Sequence, residues 1–250
     1  MSHINAVFRN NPATLKYQLL MSWGFLFFTV LALAIDSVDF LQLYFDGRWL
    51  TNILAIIYFL IFFYFAGTKL RKLMFVMVFF SYIGELIFCK LLGMYQYRSE
   101  PIPLYVPFGH AIVYASGYVF AHTQWALRNE KVLGNIFAIG FTMLFLGVGL
   151  LLEDVFSLIF GICFFLLLQR KRWQNLYFFI ALCVIYIELV GTYFQCWVWD
   201  PRIFDTIPTA NPPMGAVFFY GGGDVLLAKI VDIWNRKSKK QHGVYCAEIN

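Results

Sequence analysis

Two glutamates lie inside apolar runs of the chain, where a charge is expensive. Glu85 and Glu188 stand roughly a hundred residues apart, each well inside a stretch of hydrophobic residues. A charged side chain costs about 2.5–3.5 kcal/mol at the centre of a membrane-spanning helix, so each one calls for a partner or a chemical role. Two carboxylates in one low-dielectric cleft can hold different protonation states, as general acid–base chemistry requires. We therefore predict that Glu85 and Glu188 form a catalytic acid–base pair.

Two more ionisable side chains are expected near this pair. His110 follows a Pro-x-Gly segment at the start of an apolar run, and Asp224 lies near the middle of the last run, after three glycines. Consecutive glycines weaken a helix, but they let a backbone or a ligand approach closely. We predict that His110 and Asp224 are positioning or metal-binding groups of the same catalytic site. The four side chains would line an outward-facing, negatively charged cavity.

Each of these residues also has a structural interpretation, which the sequence leaves open. Glu85 and Glu188 could bond to Lys90 or to tyrosine and serine hydroxyls, and His110 could be an interfacial residue. His122 is expected at the inner interface. Glu153 and Asp154, at a predicted outer turn, lie either at the rim of the cavity or in a solvated turn. Asp36 and Asp39 are expected to be solvated turn residues.

The segments around the two glutamates resemble each other, which predicts an internal repeat. In residues 85–111 and 188–216 a carboxylate inside an apolar run is followed by an aromatic-x-aromatic exit, an Ile-Pro loop and a Pro-x-Gly start to the next run. The exits are Tyr95/Tyr97 and Trp197/Trp199. We predict two halves of four spans each, 1–130 and 131–235, followed by a basic cytoplasmic tail, 236–250. An even number of spans per half would make the halves parallel.

Composition predicts a polytopic membrane protein of all-α class. The chain is 61% hydrophobic and 13% charged, whereas soluble domains carry about 25% charged residues. Its net charge of +5 comes from short basic clusters between apolar runs and does not indicate nucleic-acid binding. A span needs about 20 apolar residues, and we count eight, at about 17–35, 50–67, 73–94, 107–127, 132–152, 155–169, 175–197 and 213–233.

The loops alternate in charge, which predicts their side of the membrane. Basic clusters follow the even spans, and mixed or acidic loops follow the odd ones. The positive-inside rule then puts both termini in the cytoplasm, and we expect a bacterial-type inner membrane. The basic residues are Lys69, Arg71, Lys72, Arg128, Lys131, Arg170, Lys171, Arg172, Arg236, Lys237, Lys239 and Lys240. Tryptophans at predicted span ends would form an aromatic belt: Trp49, Trp125, Trp173, Trp197, Trp199 and Trp234.

No strong catalytic or metal motif is present in the chain. HExxH, GxSxG and Walker A patterns are missing, and four histidines are too few for a His-rich di-iron site. The five cysteines show no CxxC spacing and are expected to be buried thiols. Cofactors and metal dependence are therefore unknown from the sequence.

Three functions fit these features. The first is a membrane-embedded enzyme that performs acid–base chemistry on a lipid or isoprenoid, with aromatic rings to stabilise a cationic centre. One pattern is similar to the membrane carotenoid cyclase and hydratase domains. It consists of a span, its aromatic exit and the segment Ile102–Tyr105 that leads into the next span. The acidic pair of those families is replaced here by Tyr105 and Val106, so the resemblance assigns no family. The alternatives are a proton-coupled transporter of a small solute and a non-catalytic membrane partner subunit. The expected partners are the bilayer and a lipidic substrate, and the oligomeric state is open.

Overall fold

The computed structural model describes residues 12–171 and 173–248, and the side chains of residues 15–171 and 173–234. Arg172, His3 and the side chains of the predicted basic tail lie outside the described residues. The described chain is helical, with four very short strands. Its helices are α1 (Pro12–Ile35), α2 (Val38–Leu43), α3 (Arg48–Phe65), α4 (Thr68–Glu85), α5 (Tyr105–Ala121), α6 (Gln124–Arg128), α7 (Glu130–Leu151), α8 (Val155–Gln169), α9 (Gln174–Tyr193) and α10 (Val217–Glu248). Its strands are β1 (Tyr95–Tyr97), β2 (Trp197–Trp199), β3 (Arg202–Ile203) and β4 (Ile207–Pro208).

Six of the described helical segments are long and apolar enough to cross a membrane, as expected of an integral membrane protein. They are Leu15–Ile35, Arg48–Phe65, Thr68–Leu91, Glu130–Leu151, Gln174–Tyr193 and Met214–Trp234. The fourth and sixth predicted spans correspond to α5, of 17 residues, and α8, of 15 residues. At 1.5 Å per residue these reach about 23–26 Å, short of a hydrocarbon core of about 30 Å. The all-helical fold is confirmed, and the count of eight spans is not.

Two predicted helix boundaries differ from those observed. The fourth predicted span, 107–127, breaks after Ala121, because the hydroxyl of Thr123 accepts a hydrogen bond from the backbone N–H of Ala126 and caps the separate helix α6. His122 lies at this break, and its ring contacts those of Tyr118 and Trp173. The last helix continues to Glu248, well past the predicted end at 233.

Helix α5 lies at the centre of the fold. It packs against α1, α3, α4 and α9, and all of residues 111–119 are buried. Gly117 permits the closest of these approaches, since a Cβ atom there would lie 2.7 Å from the Cα atom of Ile180 on α9. Small residues at such crossings let helix backbones approach in membrane proteins. The short α5 is thus surrounded by protein along most of its length.

A two-stranded antiparallel ribbon ties the loop after α4 to the loop after α9. Strand β1 pairs with β2 in a register that puts Tyr95 opposite Trp199 and Tyr97 opposite Trp197. Backbone hydrogen bonds of 2.9 Å extend the pairing beyond both ends of the ribbon. The two segments that carry the predicted repeat are therefore in direct contact.

The tryptophans at helix ends divide into two groups. Trp49, Trp125 and Trp234 are 58%, 62% and 42% exposed, as the predicted aromatic belt requires. Trp197 and Trp199 are only 8% and 5% exposed. The prediction that these two belong to the belt was wrong, because both side chains turn inward from β2.

Asp36 organises the outer connection between α1 and α3. It is wholly buried, and its carboxylate accepts hydrogen bonds from Arg48 (3.0 Å), Arg98 (2.9 Å) and the hydroxyl of Tyr105 (2.8 Å). The interpretation of Asp36 as a solvated turn residue was therefore wrong. Arg98 also bonds to Asp46 at 2.6 Å and holds the pKa of that carboxyl below its usual range.

Asp154 is likewise a buried structural residue. Its carboxylate accepts hydrogen bonds from the backbone N–H and the hydroxyl of Ser157, at 2.9 and 2.6 Å, and so caps α8. The hydroxyl of Ser157 in turn accepts a hydrogen bond of 3.0 Å from the backbone N–H of Gly215, which precedes α10. Glu153 is exposed, and neither acid lines the cleft described below. The prediction that they form its rim was wrong.

We expect Asp36→Asn to destabilise the protein strongly. The amide removes the negative charge that two buried guanidinium groups share, and breaking a buried ion pair costs about 3–5 kcal/mol. Thermal unfolding of the purified protein in one detergent checks this. Asp39→Asn is the matched control, because Asp39 is exposed in the first turn of α2. Equal melting temperatures for the two variants would contradict the structural role of Asp36.

Candidate functional site

Glu85 lies at the end of α4, where the chain continues as one π-helical turn, Leu86–Leu91. Such turns are frequent at functional sites. The glutamate is 3% exposed. Its Oε2 atom accepts hydrogen bonds from the hydroxyls of Tyr95 (2.8 Å) and Tyr97 (2.7 Å), and its Oε1 atom lies 3.1 Å from Nε2 of His110. Every carboxylate oxygen of Glu85 is therefore hydrogen-bonded.

Glu188 lies on α9 in an equivalent setting. It is 5% exposed, and its Oε2 atom accepts hydrogen bonds from the indole N–H groups of Trp197 (2.9 Å) and Trp199 (3.0 Å). Its Oε1 atom accepts a hydrogen bond of 3.1 Å from the hydroxyl of Tyr220 on α10. Buried charged groups persist only with such partners.

The strand geometry explains why both carboxylates are satisfied in the same way. Side chains two residues apart point to the same face of a strand. Both aromatic residues of β1 therefore reach the carboxylate of the helix before it, and both of β2 do the same. The pairing of the strands then puts the two sets of donors side by side, with the rings of Tyr95 and Trp199 at 4.7 Å.

One stacked pair of rings links the two carboxylates. The imidazole of His110, on α5, stacks on the phenol of Tyr220 with ring centroids 5.1 Å apart and an angle of 12° between the planes. Because His110 contacts Glu85 and Tyr220 contacts Glu188, the four side chains form one continuous group. The two carboxylates are thus linked through three successive contacts.

Asp224 is the least satisfied acid of the site. It is 4% exposed, and its Oδ2 atom is buried with no hydrogen-bond partner among the described residues. An isolated buried carboxylate is costly, so the group is either protonated or compensated by something that binds beside it. Its place on α10, directly after the three glycines, puts it on the same cleft as the two glutamates.

The cleft contains about 640 Å³ of non-protein space, its open side included. Glu85, Glu188, His110 and Asp224 all line it. Most of the remaining wall is apolar and comes from α4, the π-helical turn and α10: Met77, Phe80, Phe88 and Phe219. A second cavity of about 460 Å³ adjoins it on the far side of the carboxylates and shares Glu85, His110 and Glu188 with it.

The structure thus brings together all four residues that the sequence predicts for the site. The structural alternative is also present in part, since tyrosine hydroxyls do bond to Glu85. Lys90 does not take that role, because its ammonium group donates to the backbone carbonyl of Glu100. The carboxylates are therefore held by structural hydrogen bonds and face an open cleft as well. Their catalytic role stays a prediction.

Five functional residues were missed by the sequence reasoning: Tyr95, Tyr97, Trp197, Trp199 and Tyr220. The aromatic-x-aromatic exits were noticed, but they were interpreted as membrane-interface residues. The signal that could have found them is the spacing of two, which puts both rings on one strand face. Tyr220 carries no comparable signal, because one tyrosine in a Phe-rich helix is common.

The donors of the two glutamates differ in chemistry. An indole N–H can only donate a hydrogen bond, whereas a tyrosine hydroxyl can donate or accept. Oε2 of Glu188, with two indoles on it, is therefore confined to the acceptor role of an unprotonated oxygen. The two hydroxyls on Oε2 of Glu85 can instead rotate, so that one of them accepts a hydrogen bond from this oxygen when it is protonated. Burial and the nearby Glu85 raise the pKa of Tyr95 well above its usual value, so this donor stays protonated.

The described residues offer no ready-made metal centre. Among residues 15–171 and 173–234, no three His, Cys, Asp or Glu side chains are arranged to hold a metal ion. The cysteines of this part of the chain are free thiols, three of them buried. The donors on the cleft are instead hydroxyl, indole and imidazole groups.

We expect Gly191→Ala to displace Trp197 and disturb Glu188. A Cβ atom at Gly191 would lie 1.9 Å from Cη2 of Trp197, so the ring must move out of hydrogen-bonding position. Overpacking of this kind costs about 1–3 kcal/mol. Tryptophan fluorescence and thermal unfolding report the two effects. Gly140→Ala is the control, because no atom lies within 4 Å of its added Cβ; identical spectra and stability for both variants would contradict the packing.

Comparison with known proteins adds no assignment to this geometry. No protein-family model, no curated protein and no solved structure matches the chain.

Proposed function

We propose that the protein is a membrane-embedded enzyme that performs acid–base chemistry on a lipid or isoprenoid. The observation that carries the proposal is the convergence of two buried carboxylates, a histidine and an unpartnered aspartate on one cleft with a mostly apolar wall. Binding sites for apolar ligands combine such walls with a few convergent polar groups. Groups whose environments differ this much are typical of acid–base sites.

In this proposal Glu85 and His110 exchange the proton with the substrate. The proton on either group can be passed across the 3.1 Å contact between Nε2 of His110 and Oε1 of Glu85. The hydroxyls of Tyr95 and Tyr97 can donate to the carboxylate or accept from the carboxylic acid. Both protonation states of Glu85 are therefore compatible with its surroundings.

Glu188 is the hydrogen-bond acceptor of the site in this proposal. Two indole donors fix its Oε2 atom as an acceptor, and Tyr220 donates to Oε1. A carboxylate held in this way stabilises positive charge that develops on a substrate in the cleft, and the neighbouring aromatic faces add to the effect. Asp224, with one oxygen free, is the group that is available to bond to a polar part of the substrate.

The proposal includes eight spans in two duplicated halves. The short helices α5 and α8 would be the fourth and sixth spans, in a locally thinner bilayer. The antiparallel register of β1 and β2 supports the duplication, because a two-fold axis along the membrane normal relates equivalent strands in this way. Each strand also supplies the hydrogen-bond donors for the carboxylate of its own half. The charge alternation supports cytoplasmic termini, an outward-facing cleft and a bacterial inner membrane as the location.

A proton-coupled carrier is the second candidate, and one feature of α5 favours it. His110, Tyr114, Tyr118 and His122 recur every fourth residue, so they follow one face of the helix from the cleft to its opposite end. The rings of Tyr118 and His122 are 3.9 Å apart, and the buried hydroxyl of Tyr118 has no hydrogen-bond partner among the described residues. Polar rows of this kind can carry protons across a membrane.

We expect Glu85→Gln to abolish turnover, since the amide cannot exchange the proton. Positioned acid–base groups contribute about 10²–10⁴-fold to rate, so the product should fall by that factor. The measurement is mass spectrometry of total lipids from membranes that contain the wild type, Glu85→Gln or Glu188→Gln. Glu100→Gln is the control, because this carboxylate is exposed in the outer loop.

A lipid product that depends on Glu85 and Glu188 but not on Glu100 supports the enzyme. Unchanged lipids in all variants would contradict it. In that case proton flux into proteoliposomes that is lost in Glu85→Gln favours the carrier, and the lack of any flux favours a partner subunit.

A further inference from the structure

We propose that the apolar chain of the substrate passes the carboxylates and ends in a separate back chamber, with Gly109 as the residue that sets how far it reaches. This inference rests on the proposed function for the nature of the ligand. It concerns a third cavity, with about 380 Å³ of non-protein space, its open side included, that lies between α1, α3 and α5. None of the four predicted site residues lines this chamber.

The chamber adjoins the site through the second cavity. The open cleft and the second cavity share Glu85, His110 and Glu188. The second cavity and the back chamber share Tyr105, Gly109 and Ile187. In the proposal a ligand enters between α4 and α10, passes the carboxylates and continues past Gly109.

The walls of the chamber indicate what it would hold. They are mostly apolar and include Phe25, Phe28, Leu33, Ala55 and Ile112. The hydroxyl of Thr51 is already used, because it donates a 2.9 Å hydrogen bond to the carbonyl of Ala32. No charged side chain lines the chamber. Hydrocarbon is the ligand chemistry that fits these walls.

The two Pro-x-Gly segments show that this space is particular to the first half of the chain. A Cβ atom at Gly215 would lie 2.8 Å from the Cα atom of Ser157 and 3.0 Å from the carbonyl oxygen of Phe156, so α8 fills the space beside it. A Cβ atom at Gly109 would meet no atom within 4 Å. The glycine of the Pro-x-Gly segment is therefore closely packed at Gly215 and borders the chamber at Gly109.

The loops before α3 and α8 account for this difference. Three residues, Leu152, Glu153 and Asp154, separate α7 from α8. Asp154 bonds to Ser157, whose hydroxyl bonds to the backbone N–H of Gly215, so α8 is held against the start of α10. Residues 36–47 separate α1 from α3 and are held instead by Asp36 and the two arginines. The longer connection leaves α3 away from Gly109, and the chamber lies in the gap.

Photo-crosslinking with alkyl alcohols of graded length, each with a diazirine at the chain end, tests the proposal. The purified full chain in detergent is labelled, and the modified peptides are identified by mass spectrometry. For the wild type, short probes should label the cleft wall, including Phe80 and Phe88, and long probes should label the chamber wall, including Leu33 and Ala55.

In Gly109→Leu, labelling of the chamber by long probes should fall at least roughly tenfold, the loss expected when two or more methylene groups are kept out of an apolar site. Labelling of the cleft by short probes should stay unchanged. Gly109→Ala should retain chamber labelling, since its Cβ meets no atom within 4 Å. Gly140→Leu is the control on a glycine of α7 that is equally open.

Chamber labelling that is missing in the wild type, or that is the same in Gly109→Leu, overturns the proposal. Equal loss of cleft and chamber labelling in Gly109→Leu, with a lowered melting temperature, also overturns it, because the residue would then act on folding and not on depth. The readout needs no turnover. Chamber labelling together with an inactive wild type would therefore refute the proposed enzyme and leave the chain-binding site in place.

Discussion

The burial of two carboxylates determines much of this structure. In a low-dielectric interior, each buried charge must be met by donors, and neither Glu85 nor Glu188 has a cationic partner of fixed charge. Four of the six donors come from two short strands that lie outside the helices, and His110 and Tyr220 supply the other two from α5 and α10. This explains why the loops after α4 and α9 must pair, since an unpaired loop could not hold two rings against one carboxylate.

The two carboxylates meet this constraint with different chemistry. Two indoles and one hydroxyl bond to Glu188, whereas two hydroxyls and an imidazole bond to Glu85. A donor that cannot accept fixes the state of its partner, whereas a hydroxyl adapts to either state. The unequal first connections add a second asymmetry, because only the first half leaves a chamber beside its Pro-x-Gly segment. Two segments of similar pattern thus have different surroundings.

The sequence predicted the parts of the site that are energetically conspicuous. A carboxylate in an apolar run is costly wherever the chain goes, so Glu85, Glu188 and Asp224 could be identified without a fold. The aromatic donors could not, because a tryptophan at the end of an apolar run fits the membrane interface as well as a buried hydrogen bond. Asp36 was taken for a surface residue because its partners Arg98 and Tyr105 are distant in sequence. Asp154 was taken for one because Ser157, to which it bonds, is held against the distant Gly215. Only the tertiary fold reveals such pairings.

Infrared difference spectroscopy tests most directly whether the carboxylates share one site with divided roles. Spectra across a pH titration, in H₂O and D₂O, resolve protonated carboxyl groups, and an Asp224→Asn background removes the third acid of the cleft. The account predicts a carboxyl band that disappears in Glu85→Gln. It predicts that the band remains in Glu188→Gln but shifts, because the His110–Tyr220 stack links the two groups. A band that disappears in Glu188→Gln, or that neither variant changes, would contradict it.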